Sequence, residues 1–182
     1  SNIYDSGVIG SIMRKVSLPD GRVKVLFQGL SKGKIIKEIS DNPLLAEVDI
    51  INTSYESDAK MDALLEIIKE KVKALSEISN YFPADLLKTI NDNNDLDRIA
   101  DLISSAIKLS KDTAYNIFIQ TNLENKFLAL IEHITEEAEA NKLQKEIRTK
   151  AHTKIEKVNK EYFLKEQMQQ IQKELGQDGQ RD

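Results

Sequence analysis

The sequence predicts an α+β fold that is mostly α: a partial β-sheet subdomain over residues 1–56, a helical bundle over 57–121 and a long connecting helix over 122–182. Three observations predict it. Every glycine lies at or before Gly33 or at or after Gly176, and the three prolines are Pro19, Pro43 and Pro83. Gly and Pro punctuate turns and strand ends, so strands belong to the first third and helices to the rest. Period-two alternation runs through Val23, Val25 and Phe27, the signature of a strand. Finally, no Gly or Pro interrupts the chain between Asn122 and Leu175, which suits one continuous helix.

Taken in order, the LPDGR stretch from Leu18 to Arg22 reads as a hairpin turn. Pro presets φ, and Asp-Gly supplies the left-handed position that a tight hairpin requires. Three further runs, Val23–Gln28, Lys34–Ile39 and Leu45–Ile51, bring the expected strand count to four, with one polar face. So short a meander has too little apolar area to offset its ordering entropy, and it reads as part of a larger sheet whose other strands precede residue 1.

From Ser57 the period changes. Ser57 is the expected N-cap of a helix carrying Met61, Leu64, Leu65, Ile68, Val72 and Leu75 on one face and ending before Pro83. Ala84–Ile90 forms a short helix closed by the NDNND run, whose side chains compete for backbone hydrogen bonds. Asp95 caps Leu96–Leu109, and Ser110 or Asp112 opens another helix reaching about Thr121. Short amphipathic helices with brief connections make a small bundle.

In the tail, Leu123, Phe127, Leu130 and Ile134 follow a 4-3-4 spacing that packs on that bundle. Leu143, Ile147, Ala151, Ile155, Val158 and Tyr162 continue at 4-4-4-3-4, close to an eleven-residue repeat. Lysines and glutamates fill the intervening positions, so this part is expected to leave the globular body. At 1.5 Å per residue the whole tract would span roughly 80 Å.

Composition narrows the function. The chain has 182 residues, 26 basic and 30 acidic side chains, and no cysteine. Charge is near even along it, with seven basic and seven acidic groups in residues 1–56. Duplex-binding domains draw their affinity from a Lys/Arg excess, so nucleic acid is disfavoured. Disulfides, zinc fingers and thiol catalysis are excluded. With no 18-residue apolar run and no leader, a membrane role is not expected and the cytoplasm is the expected location.

Catalytic signatures are missing as well. GLSKGKI (Gly29–Ile35) has three residues between its glycines and Ile after the lysine, where a Walker loop has four residues and then Ser or Thr; a strand-to-strand turn is the expected structure. The two histidines, His133 and His152, would stand about 28 Å apart on one helix, too far to share a metal. Expected site residues are therefore none for catalysis, cofactor or metal. Tyr162, Phe163, Leu164, Met168 and Ile171 read first as a packing face. Their second reading is an adaptable contact for unfolded polypeptide or a sister subunit.

Three stretches carry a family resemblance. KEYFLKEQMQQIQKELGQ (Lys160–Gln177) resembles the signature that closes the amino-terminal region of Lon proteases, through Glu161, Tyr162, Phe163, Leu164, Glu166, Gln167, Ile171, Glu174, Leu175 and Gly176. LPDGRVKVLFQGL (Leu18–Leu30) is similar to the family's β-hairpin, and DLDRIADLISS (Asp95–Ser105) to its helical Leu/Arg-Ala-Asp motif.

The resemblance implies a PUA-like β subdomain here, lacking the family's opening strands, and a substrate-recognition and assembly role. It also implies that the whole protein is a homohexameric ATP-dependent serine protease whose AAA+ and Ser-Lys peptidase modules lie outside this chain. Unfolded or damaged proteins are then the expected partners. ATP and Mg are implied for the absent ATPase, with no cofactor expected in this chain. Some members of the family bind nucleic acid, a reading the even charge disfavours.

Overall fold

The hairpin forms where Pro19, Asp20 and Gly21 place it. In the computed structural model, which describes residues 3–178, Leu18 N–H donates to Arg22 O at 2.8 Å and Gly21 N–H to Leu18 O at 3.1 Å. Gly21 has a φ of 83°, the left-handed conformation that costs glycine nothing. The Asp20 carboxylate accepts from Arg22 Nε at 2.6 Å, closing the turn from outside.

This turn joins β1 (Ser6–Ser17) to β2 (Val23–Asp41), and β3 (Leu44–Ile51) completes an antiparallel sheet of order β1-β2-β3. Three strands are seen where four were expected. The second and third runs fuse because Gly29–Ile35 is not a turn: Lys34, Gly33, Lys32 and Ser31 pair with Ser6, Gly7, Val8 and Ile9. Its glycines serve close approach instead. A Cβ on Gly33 would lie 2.5 Å from Ile9 Cδ1, so the bare backbone lets β1 lie flat there.

The expected polar face is also corrected. Val25, Leu26 and Phe27 are consecutive and pair with Lys15, Arg14 and Ile12, so they point alternately to both faces. Register shifts between Ile9 and Gly10 and between Ile12 and Arg14 break the alternation further. Both faces therefore carry apolar side chains in solvent. Ile12, Leu26, Leu30 and Ile39 are 67%, 62%, 66% and 64% exposed.

Helices follow: α1 (Ala59–Ile78), α2 (Ala84–Asp92), α3 (Leu96–Ala106), α4 (Lys111–Ile119) and α5 (Leu123–Asp178). Asp58, not Ser57, caps α1, its carboxylate accepting from Met61 N–H at 2.9 Å. Asp95 accepts from Asp97 and Arg98 N–H, and Ser110 from Thr113 N–H, as the cap residues predict. The third helix stops at Ala106, three residues short of the expected end at Leu109, where Ile107 takes extended geometry.

One core results. Met61, Leu64, Ile68, Val72 and Leu75 of α1 meet Ile90, Ile99, Ile103 and Ile117, and the first turns of α5 add Leu123, Phe127, Leu130 and Ile134. Among the described residues every buried hydrophobic side chain lies at or beyond Met61. Stability from apolar burial thus resides mainly in the bundle, and in the sheet Ile9, Ile35 and Ile51 are only partly buried. From Lys142 to Gly176 every residue of α5 is exposed, so the helix leaves the body as a bare shaft.

Candidate functional site

Two exposed apolar surfaces and one polar junction are the candidate functional features. The first surface is the sheet, where Val8, Ile12, Met13, Leu26, Leu30 and Ile39 stand open. The second is the shaft of α5. Exposed apolar side chains in such number mark surface that another polypeptide segment can cover.

The predicted residues all fall on the shaft. Tyr162, Phe163, Leu164, Met168 and Ile171 are each more than half exposed, so they form no packing face within this chain. Leu164, Met168, Ile171 and Leu175 share one helical stripe by their 4-3-4 spacing. Tyr162 and Phe163 project elsewhere around the helix, and the Tyr162 hydroxyl donates to Glu166 Oε1 at 3.2 Å. Helical geometry brings part of the set together and leaves the rest apart.

The junction between sheet and bundle was not foreseen. Lys32 of β2 donates to Asp101 Oδ1 at 2.7 Å and lies 3.6 Å from Asp97 Oδ1, both on α3. Its ammonium also sits 5.1 Å from the Phe118 ring centroid of α4. Lys126 of α5 reaches the same Asp97 oxygen from inside the bundle at 3.4 Å. It is 1% exposed.

These two lysines titrate in opposite senses. Burial opposes the charge of both. For Lys32 the hydrogen bond and charge of Asp101, with that of Asp97, outweigh it and hold the ammonium above its ordinary value. For Lys126 burial, reinforced by the nearby Lys32 charge, outweighs Asp97 and pushes it down. One sequence signal could have marked Lys126: it lies three residues after Leu123 and four before Leu130, on the stripe those residues bury.

Aromatic and main-chain contacts complete the junction. Tyr4 stacks on Tyr115 of α4 with centroids 4.2 Å apart, and the Tyr115 hydroxyl accepts from Ser6 N–H at 3.3 Å. Lys111 lies over the Tyr4 ring at 5.2 Å. Ser54 N–H donates to Thr121 O at 2.8 Å, and Leu123 N–H to Ser54 O at 3.0 Å.

Nothing in residues 29–35 fits the phosphates of ATP. Backbone groups that would have to cradle an anion are committed to the ladder with β1 and β3, and Ile35 N–H donates to Asp5 O. The histidines are separate, His133 beside Glu136 and His152 beside Glu156 on the same helix. Among the described residues no group of three or more His, Asp or Glu is placed to hold a metal, and no helix is long and apolar enough to cross a membrane.

A three-stranded antiparallel sheet on a helical bundle that extends into a long exposed helix defines an α+β module, mostly α. The chain belongs to the family of ATP-dependent protease La (LON) substrate-binding domains, whose model matches residues 1–136. It is 56% identical to the Lon protease of Campylobacter concisus over 99% of its own length, and 50% identical to that of Helicobacter pylori over 98%. In both cases it spans 22% of the relative. The fold is similar to the amino-terminal domain of a Mycobacterium avium complex Lon protease, with a TM-score of 0.61 and 18% identity over 74% of this chain and 73% of that one.

Proposed function

We propose that this chain is the substrate-recognition and assembly region of an ATP-dependent Lon serine protease that degrades misfolded and short-lived regulatory proteins. Residues 1–56 and 57–121 act as client-facing subdomains, and 122–182 connects them to a hexameric ATPase. The observation that carries the reading is the sheet: its apolar side chains stand exposed, surface that suits apolar segments of unfolded clients as well as the family's opening strands. Family membership supports the same assignment. ATP and Mg serve the ATPase module, outside this chain, and the site of action is the cytoplasm.

Six weak client sites held on long helices raise the local client concentration without any one site being tight. The shaft residues Tyr162, Phe163, Leu164, Met168 and Ile171 then contact clients or neighbouring subunits. Photo-crosslinking of a permanently unfolded client to the chain tests the reading. Labelling that maps to residues 6–51 supports it; no labelling leaves the region a structural spacer within the hexamer. In the full-length enzyme, deletion of residues 1–121 should impair protein degradation far more than ATPase activity or short-peptide cleavage. A salt-dependent mobility shift with duplex DNA would instead revive nucleic-acid binding.

A further inference from the structure

The sheet buries no hydrophobic side chain against the bundle, so something other than a shared core must fix its position. Two kinds of contact cross the junction. The main-chain bridge of Ser54 to Thr121 and Leu123 sits where the chain passes from sheet to helices, and it does not depend on side chains. Beside it, on the same end of the sheet, are the Lys32 ion pairs, with Lys32 paired to Ile51 three residues ahead of Ser54, and the Tyr4–Tyr115 stack just ahead of β1.

We propose that Lys32 and Asp101 form an electrostatic latch that holds the sheet closed against α3, and that the sheet swings about the Ser54 bridge when the latch opens. The geometry fits a hinge with a clamp beside it, which leaves the hairpin end of the sheet free to move. Hinge motions are absorbed by a few residues at element ends, and Ser54 lies just beyond β3 and ahead of α1. The Lys32 side chain is 12% exposed, which shields its pairs from the screening that weakens surface ion pairs. The groups facing it are Asp97 and Asp101 from α3, Lys126 from α5 and the Phe118 ring from α4.

Asp97 is shared between Lys32 and the buried Lys126. When Lys32 withdraws, Asp97 keeps a partner, so opening strands no buried charge on the bundle side. That makes the junction separable without unfolding the helices. Opening would change how far the apolar sheet stands from the shaft, and so which surface a bound polypeptide meets.

The chain holds no cysteine, so spin labels can be placed at Lys24→Cys on the sheet and Lys88→Cys on α2 without background. Pulsed dipolar spectroscopy then reads the sheet-to-bundle distance distribution in the whole chain. Lys32→Met should raise the fraction of long, open distances about tenfold, the equivalent of about 1.4 kcal/mol. Asp101→Asn should act in the same direction. Lys32→Arg should stay closed. Helix content by circular dichroism should be unchanged throughout. An unaltered distribution in Lys32→Met, opening in Lys32→Arg equal to that in Lys32→Met, or loss of helix in Lys32→Met would each overturn the latch.

Discussion

Replacing Lys126 by Met should stabilise the fold, although the substitution removes an ion pair. Coulomb attraction between Lys126 Nζ and Asp97 Oδ1 at 3.4 Å is about 5 kcal/mol at an effective dielectric constant of about 20. Against it stand the loss of hydration at a 1% exposed ammonium, which costs several kcal/mol per ion, and repulsion from Lys32. The depressed pKa of Lys126 says which side wins, since a lowered value means that the fold disfavours the charged form. Met keeps most of the apolar stem and removes the charge. Asp97 remains paired with Lys32 at 3.6 Å. The expected gain is about 1 kcal/mol, read as a higher urea midpoint by circular dichroism at neutral pH.

Asp97→Asn is the counter-experiment, because it strips the anion and leaves Lys126 buried and charged. It should cost about 3 kcal/mol. The pH dependence has a definite sign. A folded pKa below the ordinary 10.5 means the unfolded chain binds more protons between those two values, so stability rises with pH across that window and is flat below it. The advantage of Lys126→Met should therefore shrink as pH approaches 10.5. Lys32, raised above 10.5, contributes stability that is complete below that pH and lost as pH rises through its folded value. Destabilisation by Lys126→Met of more than about 1 kcal/mol would refute the reasoning, as would a neutral Asp97→Asn.

Three other substitutions probe the remaining parts. Phe127→Ala, at a fully buried position, should cost about 3–5 kcal/mol by equilibrium unfolding, whereas Leu143→Ser on the shaft should stay within about 0.5 kcal/mol. Asp95→Ala removes the acceptor for Asp97 and Arg98 N–H and should cost about 1 kcal/mol. Gly10→Ala would drive a Cβ to 2.6 Å from the Phe27 ring and into the backbone oxygen of Gln28. Amide exchange of β1 and β2 should accelerate, with a penalty of about 1–3 kcal/mol and no loss of helical signal.

Much of the bundle was legible because its information is local. Helix faces follow from spacing, so Met61, Leu64, Ile68, Val72 and Leu75 were placed correctly, and Asp95 announced its cap by residue type. The cap at Asp58 was displaced by one residue because Ser57 and Asp58 are both competent N-caps. Strand length was misread for a different reason. Gly29 and Gly33 can mark either a turn or a close approach, and only the strand beside them decides which; Ile9 occupies the space that a Gly33 side chain would need. The junction was illegible because Lys32, the Asp97 and Asp101 pair on α3, and Lys126 are far apart in sequence, and no local pattern couples the three.

Stability and exposure are divided between parts of the molecule, and the division has a thermodynamic consequence. The bundle holds the buried core, while the sheet keeps its apolar side chains in water and relies on ladder hydrogen bonds, each of modest net value. A three-stranded sheet so exposed has a lower local stability than the bundle, the regime from which binding and moving elements are drawn. Any polypeptide that covers its apolar faces or pairs with an open edge strand must stabilise it by linkage. The same contact is weak alone, because part of its free energy goes into ordering the sheet. Under the proposed client-binding role, weak binding suits a surface that must release what it captures, and the shaft, about 50 Å from Lys142 to Gly176 at helical rise, spans that length without a core of its own.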